Sequence, residues 1–348
     1  MGEPAQEPGR SSRLSILVSI VTPTYNPGAR LERCIASVAS QTYTNIEHIV
    51  VDAGSTDGTL ELLAAHPDVR WVSEPDEGQA DALNKGFRMA EGELLTWING
   101  DDTLEPGAVS SVVEAFERTG AEWIYGNCEM WEGNASHLWD PPPRLTEESF
   151  DWVCPIAQQG TFFTKRAFES VGGIDMSFDL SMDYDLWLRL FDAGIASTYV
   201  DEVLGRFEIH DDSKSGSRGQ DEFILEGALA LRRRGRKHPS DLMVGRAAAQ
   251  RIARANDGKV SARSMKEELR KVMSGNSEFH DVDFSVATAG GLAEAADIEL
   301  RKRKPLAHLS GLVHLARPEP WRHPLTRESA MKNLRVAVVR TLERIGRF

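Results

Sequence analysis

An adjacent pair of aspartates in this sequence sits at the end of an apolar run. In TWINGDD, residues 96–102, Thr96, Trp97 and Ile98 read as the end of a buried strand, and Asn99, Gly100, Asp101 and Asp102 follow at once. Two adjacent ionised carboxylates repel each other, so their placement needs a reason. A divalent cation supplies one, because hard cations take carboxylate oxygens. A tight turn supplies another, since Asn, Gly and Asp are common turn formers. Two other polar clusters also follow apolar runs: Pro23, Thr24, Tyr25 and Asn26 after ILVSIVT, and Asp52 with GSTDG after NIEHIVV.

The elements that must position these groups repeat one plan. ILVSIVT is followed by the helical spacing of GARLERCIASVASQ, and NIEHIVVD by LELLAAH. VRWVS is followed by QADALNKGFRMAEG, and ELLTWI is a fourth strand. Strands alternating with helices imply right-handed crossovers and a mostly parallel sheet, in which ligands bind beyond the carboxyl ends of the strands. Residues 22–26, 52–58 and 99–102 therefore share one rim, which favours one site over three coincident turns. AEWIYGNCEM reads as a further strand, and QQGTFFTKRAFESVGG as a strand and a short helix. MDYDLWLRLFDAG is an amphipathic helix opened by two aspartates, and IASTYVD is another strand. GRFEIHDDSKSGS is polar and expected to be mobile. From about Gln220 onward the pattern is helical.

With 348 residues, 41% hydrophobic and 27% charged, the chain can bury a large core. Its N-terminus lacks the apolar segment of a signal peptide and no stretch is apolar enough to span a membrane, so a cytoplasmic location is expected. Cys34, Cys128 and Cys154 lie far apart, without metal-ligand spacing, and read as reduced thiols. The net charge is −13; residues 301–348 carry 12 Lys+Arg against 3 Asp+Glu, and the +9 of this tail leaves −22 on residues 1–300. An acidic body argues against a nucleic-acid partner.

Residues 15–215 resemble a family 2 glycosyltransferase of the GT-A fold. The motifs, in order, are VTPTYN, VVDAGSTDGT, NGDD in the place of the metal-binding DxD signature, QQGTFFTKRAFESVGGID, and MDYDLWLRL in the place of the catalytic Glu-Asp motif. The resemblance implies an α/β, GT-A type nucleotide-binding domain over residues 15–219, its mostly parallel mixed sheet flanked by helices. A disordered segment 1–14 would precede it, and a mainly helical extension 220–300 and a basic amphipathic tail 301–348 would follow. It also implies transfer of a sugar from a nucleotide diphosphate donor, a UDP-sugar in the first instance, with inversion and with Mn²⁺ or Mg²⁺ as cofactor. The acceptor would be a saccharide or a lipid-linked saccharide.

The resemblance assigns roles residue by residue. Pro23, Thr24, Tyr25 and Asn26 offer groups to the base, and Asp52 either accepts its imide N–H or caps its own Asx turn. Asp101 contacts the ribose, Asp102 holds the cation and Asn99 lies on the donor side. Asp183 is the general base, with Met182 where a glutamate is more usual, and Asp185 stabilises the helix start. Leu83 stands where the family has an arginine, so a donor contact is either missing or reassigned to Lys85 or Arg88; Asp81 points at the donor sugar or is solvated. His210 ligates the metal or touches the diphosphate, and Lys214 closes over the phosphates. Gln159, Trp187 and Arg189 are acceptor-side candidates, although Trp187 on an apolar helix face reads equally as core.

In the tail, Met331, Leu334, Val338, Leu342 and Ile345 face one way and Lys332, Arg340, Arg344 and Arg347 the other. That pattern fits an anionic membrane surface at the inner face of the membrane, or docking on the catalytic domain or a second subunit. Two rival functions remain at this level: a nucleotidyltransferase that forms sugar nucleotides, and a non-catalytic sugar-nucleotide or glycan-binding module. Oligomeric state is left open.

Overall fold

The computed structural model describes residues 15–256 and 258–303. The expectations for segment 1–14 and for the amphipathic tail through residue 348 fall outside the described residues. Strands β1 (Val18–Thr24), β2 (Ile46–Asp52), β3 (Val69–Ser73) and β4 (Leu94–Trp97) alternate with helices α1 (Arg30–Ala39), α2 (Thr59–Ala64) and α3 (Gln79–Met89). All of their mutual pairings are parallel. Next come β5 (Thr103–Leu104), α4 (Ala108–Thr119), β6 (Trp123–Glu132), β7 (Ala135–Trp139), β8 (Thr161–Thr164), α5 (Lys165–Ser170), α6 (Met182–Asp192), β9 (Ser197–Ile209) and the short α7 (Lys214–Ser217). Helices α8 (Gln220–Arg233), α9 (Lys237–Ala255), α10 (Ala262–Gly275) and α11 (Phe284–Arg303) close the described chain.

The strands form one sheet in the order β3-β2-β1-β4-β8-β6-β9-β5, with β7 on β6. Its first half is parallel; β8 then runs antiparallel between β4 and β6. All seven residues of β1 are buried, as expected where helices cover both faces of a parallel sheet. Alternate residues feed two cores. Val21, Ile49, Val51, Leu95 and Trp97 belong to one, and Val18, Ile20, Val50 and Leu94 to the other, which holds α1 and α4. The first core runs without a break from the sheet through α6 into α8–α11. At its centre Trp187 stacks between Trp97 and Trp123, each ring centroid 5.7 Å away.

One segment departs from the sequence reading. GRFEI, expected to be mobile, continues β9 to Ile209. It pairs in parallel with the end of β6 after an irregular register at Gly126–Cys128, and antiparallel with β5, Arg206 facing Thr103. Gly205 is what hid it: a Cβ there would lie 2.6 Å from the Gln159 carbonyl, so the strand needs a glycine for close backbone approach.

Candidate active site

The register sets Thr24 beside Asp52 and Asp52 beside Ser73, so the loops after β1, β2 and β3 lie along one edge. Together with 99–102 and the loop after β9 they border a cleft of about 1280 Å³ that reaches Asp183 and the helices α8 and α9.

The loop after β4 is drawn in tightly: a Cβ on Gly100 would lie 2.8 Å from Thr24 Oγ1. This buries Asp102, which is only 4% exposed. Its Oδ2 accepts from Asn99 Nδ2 (2.9 Å) and Gln159 Nε2 (2.8 Å), and Asn99 Oδ1 accepts from Gln79 Nε2 (2.7 Å). Burial, reinforced by the charge of Asp101, raises the Asp102 carboxyl well above the usual carboxylate range, against the pull of the Gln159 and Asn99 amides. Asp101 Oδ2 lies 3.0 Å from His210 Nε2, an approach made by the continuation of β9. Among the described residues, three buried polar atoms in the lining of this cleft have no hydrogen-bond partner: Thr24 Oγ1, Gln158 Oε1 and His210 Nδ1. Buried polar atoms are ordinarily satisfied, so their occurrence in one lining fits a cleft whose ligand supplies missing partners.

Among the described residues no group of three or more His, Cys, Asp or Glu side chains is arranged to hold a metal alone. The donor set still suits a hard cation that keeps several non-protein ligands, which needs one or two carboxylates. Asp102 and Asp101 are such a pair, and a carboxyl raised by burial and by a neighbouring charge is a group that a cation would stabilise in its charged form.

Asp183 lies in the first turn of α6 and is half-buried in the cleft wall. Its Oδ1 accepts from Tyr184 N at 2.7 Å. Desolvation pushes its carboxyl up to about 6, the Tyr184 N–H opposing and the charge of Glu226 adding to the rise. Glu226 of α8 also caps this helix from outside, its Oε2 accepting from Leu180 N (2.7 Å) and Ser181 N (2.9 Å). No sequence signal announces that role, because Glu226 lies more than forty positions along a different helix. Met182 lines the cleft, buried, where the family's glutamate would be.

Several expected contacts are reassigned by the structure. Asp52 is fully buried and has become the anchor of its own turn: its oxygens accept from Gly54 N, Ser55 N, Ser55 Oγ and Ser73 Oγ. Gln159 lines the cleft and its Nε2 donates to Asp102 Oδ2 (2.8 Å), which holds that carboxyl in place. Trp187 is fully buried in the tryptophan stack, away from the cleft. Arg189 binds Asp185 Oδ2 (2.7 Å) and the Val171 carbonyl (2.7 Å), so it ties α6 to the loop before it. Lys85 is held by Asp81 (3.2 Å), Glu74 (3.1 Å) and the Pro75 carbonyl (2.9 Å), and neither Lys85 nor Asp81 lines the cleft. The donors of Lys85 are thus met by groups of its own helix and of the loop after β3.

Pro23, Thr24, Tyr25, Asn26, Asn99, Asp101, Asp102, His210 and Lys214 do line it. Asn26 takes a left-handed φ of 47°, which Asn tolerates. Its N–H donates to Ser55 Oγ (2.7 Å) and its Oδ1 accepts from Thr56 N (2.8 Å), stitching the first rim loop to the second. Tyr25 stands out at 65% exposure. Lys214 Nζ is 2.7 Å from Asp179 Oδ1.

Comparison with known proteins gives this geometry a family. The family model described as Glycosyl transferase family 2 matches residues 19–170. Chondroitin synthase of Escherichia coli is 30% identical over 192 residues, 51% of this chain and 27% of that protein. Hyaluronan synthase of Pasteurella multocida is 28% identical over 228 residues, 60% and 22% respectively. The chain thus spans about a quarter of the length of those synthases. An uncharacterized glycosyltransferase of Mycobacterium tuberculosis is 31% identical over 179 residues, covering 49% of this chain and 68% of that one. Among solved structures, residues 1–349 of S. aureus TarS, crystallised with UDP-GlcNAc, share the fold with a TM-score of 0.55 at 14% identity. The match covers 84% of this chain and 93% of that one. With the sheet, the cleft and these relatives together, the chain belongs to glycosyltransferase family 2 and carries the GT-A type of fold.

Proposed function

We propose that this chain is a cation-dependent, inverting glycosyltransferase that moves a sugar from a UDP-sugar to a hydroxyl of a saccharide or lipid-linked saccharide. The observation that carries the reading is a single cleft with a half-buried acid, Asp183, raised to about 6 and a buried Asp102 beside Asp101 at its other acidic centre. A carboxyl near 6 is mostly ionised at neutral pH yet basic enough to take a proton in the transition state. The acceptor hydroxyl gives its proton to Asp183 as its oxygen forms a bond to the anomeric carbon. The bond from that carbon to the diphosphate breaks on the opposite side, which inverts the centre. Mn²⁺ or Mg²⁺ held by Asp102, with Asp101 and His210 beside it, would neutralise charge on the departing diphosphate. Asn99 and Gln159 keep Asp102 oriented throughout. The exposed Tyr25 and the loop locked by Asn26 form the place for the base.

UDP-GlcNAc, bound by TarS in a shared fold, is the first donor to try. Thermal shift and diphosphate release would be followed with UDP-, GDP- and dTDP-sugars, each with Mn²⁺, Mg²⁺ or EDTA. A cation-dependent shift with one UDP-sugar and slow release of UDP is the expected outcome. Equal shifts in EDTA would remove the cation, and preference for GDP or dTDP would remove the donor class.

A further inference from the structure

The cleft is larger than a donor requires. Pockets of roughly 300 to 1000 Å³ enclose most of a drug-sized ligand, and this one of about 1280 Å³ continues past Asp183. The wall beyond the base is built by the 150–156 segment, which runs along the first turn of α6. Tyr184 Oη donates to the Phe150 carbonyl, and the charge of Asp183 adds to the burial that raises the Cys154 thiol.

Two indoles line this arm. Trp139, at the end of β7, spends its N–H on the Pro155 carbonyl (3.3 Å), so what it offers is ring surface. Trp152 is fixed by Arg246 of α9, whose guanidinium lies 4.5 Å from the ring centroid and donates to the Trp152 carbonyl. Arg246 is in turn held by the buried Glu294 of α11 at 2.9 Å. The helical extension therefore builds part of the cleft, and the guanidinium's charge is offset by Glu294. Asp183 adds a carboxylate to the same cleft.

We propose that Trp152, backed by Arg246, is the platform on which the acceptor's terminal pyranose ring stacks, and that it selects neutral sugars. The inference rests on the transferase reading. Aromatic faces match the C–H face of a pyranose, and carboxylates accept its hydroxyls. An alkyl chain would leave Asp183 facing hydrocarbon, and an acidic sugar would meet it with its own negative charge.

The test is saturation-transfer NMR on the full chain with methyl glycosides of glucose, galactose, N-acetylglucosamine and glucuronic acid as probes. Neutral glycosides are expected to receive saturation and the glucuronide markedly less. Trp152→Ala should weaken neutral-glycoside binding about ten-fold, the scale of a lost aromatic contact. Trp152→Phe should fall between it and the intact chain. Leu138→Ala, on an exposed residue of β7 outside the cleft lining, should change nothing, and thermal midpoints would confirm that each variant is folded. No saturation from any glycoside, equal saturation in Trp152→Ala, or a glucuronide bound as well as the neutral probes would overturn the proposal. Diphosphate release is measured in parallel. Glycoside binding without release from any donor would overturn the transferase reading and leave the saccharide platform standing.

Discussion

Two acidic regions of this molecule use the same side chain in opposite ways. At 52–57, Asp52 is enclosed by four donors from its own turn and from β3, and the carboxylate holds the loop in shape. At Asp102 and Asp183 the carboxyls are desolvated with fewer donors around them, and they are raised as a result. A buried carboxylate with its lone pairs satisfied is a structural fastener. One that is buried and short of donors is poised to bind a cation or a proton, and raised carboxyls of that kind cluster at functional sites.

The comparison is sharpened most by Asp183→Asn. It should lower turnover about 10²–10⁴-fold, the usual contribution of a positioned base. Its thermal midpoint should stay level or rise, because a buried charge has been removed. Asp102→Asn comes next, with a loss of about 10²–10³-fold, comparable to removing one group that stabilises developing charge, and with loss of the cation-dependent part of the donor's thermal shift. Asp52→Ala should show the reverse pattern, losing about 3 kcal/mol of stability as buried donors go unmet while the rate per folded molecule is little changed. Gln159→Ala should cost about 1 kcal/mol in turnover, one hydrogen bond to Asp102 being lost. Smallest is Lys85→Ala, with a barely measurable change in stability because a solvent-screened ion pair contributes little and with no change in donor affinity. A collapse of donor affinity there would break the comparison, since it would show the Asp81–Lys85 pair opening to reach substrate.

The sequence made much of this legible, for identifiable reasons. The parallel β1–β4 rim could be read because each strand and its polar loop are contiguous in the chain. Asp101, Asp102 and Asp183 could be found because motifs mark them. What escaped was set by contacts distant in sequence. Glu226 and Arg246 reach the site from the helical extension, and Gln159 meets Asp102 across 57 positions. Gly205 disguised the strand that carries His210 to Asp101. Asp52 and Trp187 were readable as to type but not as to duty, since the choice between ligand contact and turn or core depends on which donors and rings surround them once folded.

The central claim is that Asp183 acts as a base because desolvation raises it. Folded-state protonation near 6 lies above the unfolded carboxyl value of about 3.9. The group therefore favours the fold fully below that lower value and loses this contribution as pH rises through about 6. Activity runs the other way, since only the ionised form accepts a proton. The most direct measurement is the pH dependence of diphosphate release in the intact chain and in Asp183→Asn, with donor and cation saturating. The rate should rise with unit slope below about pH 6 and level off above it in the intact chain, and the residual rate of Asp183→Asn should lack that step. The same step in both proteins would assign the titration to another group and contradict the account.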